Sequence, residues 1–268
     1  MLTYPEIDPV ALALGPLQIH WYGLTYLLSF LIVWRLFIFR AKKPWSPIEP
    51  KQAEDLIFNG ALGVVIGGRL GYVFFYKMDQ FLADPLWLFR LWEGGMSFHG
   101  GLLGVLVALY ISARLWKVAF LQIGDFVAPM VPVGLFFGRI GNFIGQELWG
   151  RPTDGWWAMV FPSDPAGLPR HPSQLYEAAL EGLLLFILLW FVSAKPRPRG
   201  LLSGCFLLGY GSMRFLVEFA RAPDPHLADL LLFGWVSRGQ VLSTPMIFAG
   251  LLLIAWSLGK FNRTKVNQ

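Results

Sequence analysis

Cysteine is almost missing: Cys205 is the only one in 268 residues. A lone thiol excludes an internal disulfide and a cysteine metal site, and its plain reading is a small residue in a helix. Charge is scarce too. Only 15% of residues are charged, against 55% hydrophobic and 16% aromatic, a balance that excludes an ordinary soluble domain. There is no HExxH, no paired-aspartate motif for metal-dependent phosphotransfer and no GxSxG elbow. Metal catalysis therefore finds no footing, no cofactor is implied, and Ser97 and Ser212 lack a recognisable base-orienting partner. Glu6 and Asp8 stand where a secretory signal would carry its basic region, and the first apolar run is too long and too aromatic for one. No repeated motif suggests an inverted-repeat transporter.

What the chain does have is apolar runs of about 18–23 residues along its whole length, the pattern of a polytopic membrane protein. The expected spans are residues 20–39, 56–76, 98–116, 123–140, 173–192, 201–219 and 241–258. Arg40, Lys42 and Lys43 follow the first span, Arg114 and Lys117 end the third, Lys195, Arg197 and Arg199 follow the fifth, and Lys260, Arg263 and Lys265 follow the last. The alternate connections mix both signs of charge. The positive-inside rule then gives one consistent topology, with the N-terminus outside and the C-terminus in the cytoplasm. The net charge of +5 is thus a topology signal, and its placement argues against a nucleic-acid partner. The expected fold is all-α: one integral membrane domain, 1–268, of about seven transmembrane helices, with external segments 77–95, 141–172 and 220–240 as periplasmic arm and head elements.

Polar side chains gather near one end of these spans. His20 and Tyr22 open the first; Arg69, Tyr72 and Tyr76 share a face of the second; His99 opens the third; Arg139 ends the fourth. His171, Gln174 and Glu177 begin the fifth, and Tyr210, Arg214, Glu218 and Arg221 lie within about an 80° arc on the sixth. Asp125, at the other end of the fourth span, is the main exception. The densest stretch is GLFFGRIGNFIGQELWGR, Gly134 to Arg151. If it is helical as far as Gly145, then Gly134, Gly138, Gly141 and Gly145 fall within roughly 60° of one another, a shaved face for a backbone or a ligand. Arg139 and Asn142 border it.

Two readings of the arginines stand side by side. They are structural cations neutralised by Glu177, Glu181 and Glu218, or they line a cavity for an anion. Helix packing alone does not require three intramembrane arginines near one level, and a guanidinium fork matches two phosphate oxygens. A phosphate within a membrane leaflet points to a phospholipid headgroup, with glycine grooves and apolar walls for its acyl chains. His99 sits in the glycine-rich helix start SFHGGLLG, where an imidazole can approach a substrate and act as a base near neutral pH. An anion transporter and a non-catalytic lipid receptor are the rival functions. The first is disfavoured by the almost wholly apolar inner halves of the spans.

HGGLLG at His99–Gly104, GRIGNFIGQELWGR at Gly138–Arg151, RHPSQLYE at Arg170–Glu177 and GYGSMRFLVEFARAPD at Gly209–Asp224 together resemble the bacterial prolipoprotein diacylglyceryl transferases. The similarity runs from HWYG at His20–Gly23 onward, over essentially the whole chain. One departure is visible: the family pattern expects Asn-Gly before the glutamate, where this chain has Gly145-Gln146. That bears on hydrogen bonding beside Glu147.

The resemblance implies transfer of the diacylglyceryl group of phosphatidylglycerol to the lipobox cysteine of a prolipoprotein signal peptide in the bacterial cytoplasmic (inner) membrane. A thioether forms and glycerol phosphate leaves. Cleavage with a phosphate leaving group needs positive charge where negative charge develops, and Arg139 and Arg214 suit that role. His99 is the candidate base for the thiol or a headgroup ligand. By resemblance Tyr22, Asn142, Glu147 and Tyr210 contact or support the headgroup, Gly150 permits a tight turn in the cavity wall, and Arg69 and Arg221 bind substrate or pair with Glu177 or Glu218. The two longer external segments would receive the signal peptide.

Overall fold

The computed structural model describes every residue except 1, 6, 16, 223–235 and 267–268. Most of the expected external segment 220–240, and the end of the motif at Asp224, therefore lie outside the described residues. The helices are α1 (Trp21–Ala41), α2 (Pro50–Tyr76), α3 (Met78–Ala83), α4 (Phe98–Leu115), α5 (Phe120–Val127), α6 (Val131–Ile144), α7 (Ser173–Glu177), α8 (Leu185–Val192), α9 (Leu201–Val217) and α10 (Arg238–Val266). A π-helical turn, Ala178–Leu184, joins α7 to α8. A 3-10 turn at Ala128–Met130 joins α5 to α6, where Pro129 and Pro132 each remove an N–H from the helical ladder.

Among the described residues, six helical stretches are long and apolar enough to cross a membrane: 21–41, 50–76, 98–115, 120–144, 173–192 and 238–259. One of the seven expected spans is not among them. The sixth expected span, α9, is helical for 17 residues, about 25 Å at 1.5 Å per residue against a hydrocarbon core of about 30 Å. It pairs closely with α10. A Cβ on Gly250 would lie 2.5 Å from Leu208 N, and one on Gly204 would meet Ile254 Cγ1 at 2.8 Å.

The chain is also not purely helical. Strands β1 (Leu2–Thr3), β4 (Met159–Val160) and β5 (Pro169–Arg170) form a small sheet in the order β1-β4-β5. β1 is parallel to β4 through Leu2↔Met159, and β4 is antiparallel to β5 through Met159↔Arg170. β2 (Val10–Leu14) and β3 (Leu17–His20) make a hairpin. Elements of two to five residues are too short to show an alternating apolar period. Tyr4 fixes the sheet to α6: its ring lies 5.3 Å from Phe143 and 5.5 Å from Phe161, and its hydroxyl donates to Phe143 O at 3.0 Å.

Contacts divide the chain into two compact units, 36–126 and 1–35 with 127–268. In the 36–126 unit α2 lies against α4 at glycine. A Cβ on Gly71 would sit 2.7 Å from Gly100 Cα, and one on Gly104 2.8 Å from Gly63 C. Arg40 is buried there between the rings of Trp45 and Phe126, at 5.1 and 5.5 Å, and donates to Asp125 O at 3.4 Å. In the other unit α6 packs on the π turn, since a Cβ on Gly182 would press on Phe136 Cβ at 2.6 Å.

Candidate active site

The glycine face of α6 meets α1. Side chains fill the space: a Cβ on Gly138 would lie 3.6 Å from Tyr26 Oη, and one on Gly141 3.0 Å from both Thr25 Oγ1 and Tyr22 Cδ2. Tyr22 stays exposed and donates to Tyr26 Oη at 3.2 Å. Arg139, one residue past Gly138, leaves this face and turns toward α7.

There it meets Glu177, whose side chain is 1% exposed. Arg139 Nε pairs with Glu177 Oε2, Arg221 Nη1 lies 3.6 Å from Glu177 Oε1, and Arg214 Nη1 lies 4.0 Å from the same oxygen. Arg214 Nη1 also lies 2.7 Å from Glu218 Oε2, a charge contact off the hydrogen-bond axis, while Ser237 Oγ donates to Glu218 Oε1 at 2.8 Å. Three guanidiniums thus converge on two paired carboxylates. Glu181, one turn past Glu177 in the π segment, is fully buried, and neither of its oxygens has a hydrogen-bond partner among the described residues. Tyr210, half-buried and stacked on Phe206 at 5.8 Å, lies within electrostatic range of Glu181, Arg214 and Arg139. Local breaks in the α-helical ladder of this π kind recur at functional sites.

The network continues outward from Arg139. Its Nη1 donates to Asn142 Oδ1 at 3.3 Å, and Asn142 Nδ2 donates to Glu147 Oε2 at 3.3 Å. Glu147 is held by its backbone: its N–H donates to Asn142 O at 2.9 Å, and its carbonyl accepts Gln174 Nε2 at 2.6 Å. Ser173 Oγ likewise donates to Leu148 O at 3.0 Å. Gln146 and Leu148 both adopt positive φ, 55° and 57°. So the position where the family pattern expects glycine takes a left-handed conformation here with glutamine, whose side chain accepts Ser163 N–H at 2.9 Å.

Gly150 marks a close approach of backbones rather than a turn. Its N–H donates to His171 O at 2.8 Å, and a Cβ there would meet His171 Cβ and His171 O, both at 2.7 Å, and Ala220 O closer still. The neighbouring Arg151 ties the same wall to α9, donating from its N–H to Ala220 O at 2.8 Å and from Nε to Arg221 O at 2.9 Å. His171 Nδ1 lies 3.4 Å from Trp157 Nε1 and 3.1 Å from Tyr176 Oη. An indole N–H can only donate, so Nδ1 accepts and the imidazole proton sits on Nε2. Burial pushes the pKa of His171 below its ordinary value. Asp164 receives Arg170 in a fork, Nε at 2.6 Å and Nη2 at 3.1 Å, and that guanidinium holds its carboxyl below the usual carboxylate range.

Arg69 and His99 belong to the 36–126 unit. Arg69 is fully enclosed, and carbonyls rather than a carboxylate receive its donors: Trp87 O at 2.7 Å, Leu88 O at 2.9 Å, Arg90 O at 3.1 Å and Gly94 O. Its guanidinium also lies 4.4 Å from the Trp87 ring centre. It fastens the segment 77–95. His99 is exposed as the second residue of α4, edge-on to Phe98 at 5.7 Å. The cavity of about 610 Å³ in this unit, along α2 and α4, is lined by no charged side chain and offers room for apolar chains, not chemistry.

A family model described as prolipoprotein diacylglyceryl transferase matches residues 9–256. The chain belongs to that family. Among its relatives is a phosphatidylglycerol–prolipoprotein diacylglyceryl transferase of Teredinibacter turnerae, 57% identical over 267 residues, covering 96% of this chain and 93% of that protein. Proteins of the same name from Acinetobacter baylyi, 56% identical over 95% of this chain and 93% of theirs, and from Chromohalobacter salexigens, 55% identical over 96% and 95%, are also similar. The stretch matched by the transferase family model contains every candidate residue from Tyr22 to Arg221. Of these the structure joins Arg139, Asn142, Glu147, Arg214 and Arg221 in one polar network through Glu177, with Tyr210 within electrostatic range. The sequence reading placed Gln174 among the polar residues that open the fifth span, but had no signal for Ser173 beyond its place in a motif or for the backbone carbonyls that both side chains anchor.

Proposed function

We propose that this chain transfers the diacylglyceryl group of phosphatidylglycerol to the thiol of the lipobox cysteine in a prolipoprotein signal peptide. The family match and the names of the similar transferases support the reaction. It works as one integral membrane domain, 1–268, in the bacterial cytoplasmic membrane, with α9 as a seventh, short span. The N-terminus and the segments 77–95, 141–172 and 220–240 lie on the periplasmic side, in keeping with the basic loops on the other.

The observation that carries the reading is the convergence of Arg139, Arg214 and Arg221 on Glu177. The set holds three guanidiniums against Glu177 and Glu218, with Glu181 buried beside them, and forked N–H donors of this kind match the oxygens of a phosphodiester. Each guanidinium has five N–H donors, and both ion pairs of Arg214 run through Nη1. The sulfur attacks the glycerol carbon that bears the phosphate. The carbon–oxygen bond breaks with its electron pair going to the phosphate oxygen, and Arg139 and Arg214 stabilise the charge that appears there. The thiol proton passes to a base, and His99 serves as that base or as a headgroup ligand. Asn142 and Tyr210 contact the headgroup, Tyr22 and Glu147 support it without touching the phosphate, Gly150 shapes the wall, and Arg69 serves the substrate through the arm it fastens.

Purified protein, labelled phosphatidylglycerol and a lipobox peptide test this directly. Mass gain on the peptide cysteine with release of glycerol phosphate is expected. Lipid binding without turnover would favour a receptor instead.

A further inference from the structure

At the end of α1 that carries Tyr22, a cleft of about 440 Å³ is lined by Pro9, His20, Tyr22, Ile144, Gly145 and Glu147. Three elements bring these residues together. The β2–β3 hairpin ends at His20, and Trp21 N–H donates to Pro9 O at 3.0 Å, so the hairpin base is clamped onto the start of α1. α6 ends at Ile144, and Gly145 caps it. The turn that follows presents Glu147. Gly145 keeps the floor low: a Cβ there would reach 3.3 Å from Gly141 O and 3.7 Å from the Glu147 side chain.

The lining chemistry selects the occupant. The cleft holds a carboxylate, an imidazole and a phenol, and no cation. A phosphate would meet repulsion from Glu147, whereas N–H and S–H donors would find acceptors. The cleft is nevertheless tied to the guanidinium cluster. Glu147 accepts from Asn142, and Asn142 accepts from Arg139, each at 3.3 Å. A nucleophile must come to roughly 3–3.5 Å from the carbon it attacks, so the acceptor thiol has to be seated close to the phosphate, on a face that does not itself bind phosphate. The cleft at His20 meets both conditions.

We propose that this cleft is the subsite for the cysteine of the acceptor peptide, with the His20 imidazole accepting a hydrogen bond from the incoming thiol. The inference rests on the transferase reading above. It assigns a seat and an orientation for the sulfur, and it changes nothing in which bonds form and break.

Disulfide trapping tests it on the full-length protein in vesicles containing phosphatidylglycerol. His20→Cys, mixed with a lipobox peptide under mild oxidation, should form a disulfide with the peptide cysteine, and Asp154→Cys, on the external segment, should not. Equal yields at both positions, or none at His20→Cys, overturn the proposal. His20→Leu, which removes the acceptor, gives an independent readout that does not require crosslinking. The loss of one hydrogen bond should raise KM for the peptide about 5- to 10-fold and leave KM for phosphatidylglycerol unchanged. An unchanged peptide KM, or a rise confined to the lipid KM, also overturns it. Failure of the transferase reading would show separately, as absence of thioether product with the unsubstituted protein.

Discussion

Arg139 and Glu177 form an ion pair between α6 and α7, and the same guanidinium donates from Nη1 to Asn142. A planar fork can make both contacts at once, while an ammonium on a flexible stem cannot. Arg139→Lys keeps the charge and loses that geometry. Transfer by Arg139→Lys should fall on the order of 10²–10³-fold, the usual cost of one electrostatic donor at developing charge. Thermal unfolding in detergent should move far less, because Arg221 and Arg214 remain beside Glu177. Near-normal transfer by the lysine variant would remove Arg139 from the chemistry.

Gly150 has no room for a side chain, and the atoms in the way are backbone and a Cβ. Neither can yield as the end of a flexible side chain can. Gly150→Ala should destabilise the protein by about 1–3 kcal/mol or more through overpacking and should pull the wall away from Arg221, with which Gly150 pairs. Gly23 in α1 is the control, since nothing lies within 4 Å of a Cβ there. Gly23→Ala should leave the melting temperature unchanged or raise it by a few degrees, since alanine is the better helix former by up to about 1 kcal/mol. Similar melting temperatures for the two variants would contradict the packing argument.

Arg69 satisfies carbonyls of residues 87, 88, 90 and 94 from a side chain that is fully enclosed. Arg69→Ala removes these donors together and leaves the carbonyls to find others. Hydrogen bonds to charged groups contribute about 1.5–3 kcal/mol each, so the segment 77–95 should open locally well before the helices do. Limited proteolysis of the variant should cut between Lys77 and Arg90 at least tenfold faster, a factor that corresponds to about 1.4 kcal/mol of local stability. Cleavage at the parental rate would show that the arm is held by something else.

The helices were legible in the sequence because apolar length and flanking charge are properties of the chain itself. The expected fifth span, 173–192, has the same bounds in the structure. The sixth expected span runs two residues past the helix, since α9 ends at Val217 and Glu218 and Phe219 lie in the turn that follows. The arginines were legible as a group, because charge inside an apolar run is rare. Glu177 and Glu218 stood among their candidate partners, and the structure pairs Arg139, Arg214 and Arg221 with Glu177 and Arg214 with Glu218. Arg69 stood in the same arc logic as Arg214, yet carbonyls 18 to 25 residues away in sequence take its donors, and no local spacing encodes that. The short strands and the Gly150 contact depend on pairing between distant segments, which periodicity does not report.

Asp164 adds a pH dependence to the segment 141–172. The fork from Arg170, followed by N–H donors of Ala166 and Leu168, holds its folded pKa below the ordinary carboxylate value. A depressed folded pKa means that this stabilisation is complete above the unfolded value of about 3.9 and is lost as pH falls through the lower folded value. Unfolding of this segment, followed by proteolysis or tryptophan fluorescence, should therefore grow easier below about pH 4. Asp164→Asn should be less stable at pH 7 and should lose part of that acid sensitivity. An identical acid profile in the variant would move the effect to another carboxyl.

Gln146 separates the cost of backbone strain from the value of a side-chain contact. A left-handed conformation costs a residue with a Cβ about 1–2 kcal/mol, and φ at Gln146 is 55°. The side chain offsets part of this by accepting Ser163 N–H at 2.9 Å, a bond with a net contribution of about 0.5–1.5 kcal/mol. Its carbonyl also accepts Ser163 Oγ at 3.0 Å, a bond that survives any substitution. Gln146→Gly removes the strain together with the contact, so it should lie between about 0.5 kcal/mol below and about 1.5 kcal/mol above the parent. Gln146→Ala keeps the strain and loses the contact, and should fall below both. Gln146→Val adds β-branching at positive φ and should be the least stable of the four. Chemical denaturation of the set gives the order directly, and an alanine variant as stable as glycine would show that the turn is not strained. Because Glu147 follows at once and accepts Asn142 Nδ2 at 3.3 Å, transfer activity should follow the same order as stability: strain relieved or displaced at Gln146 reorients the next carboxylate.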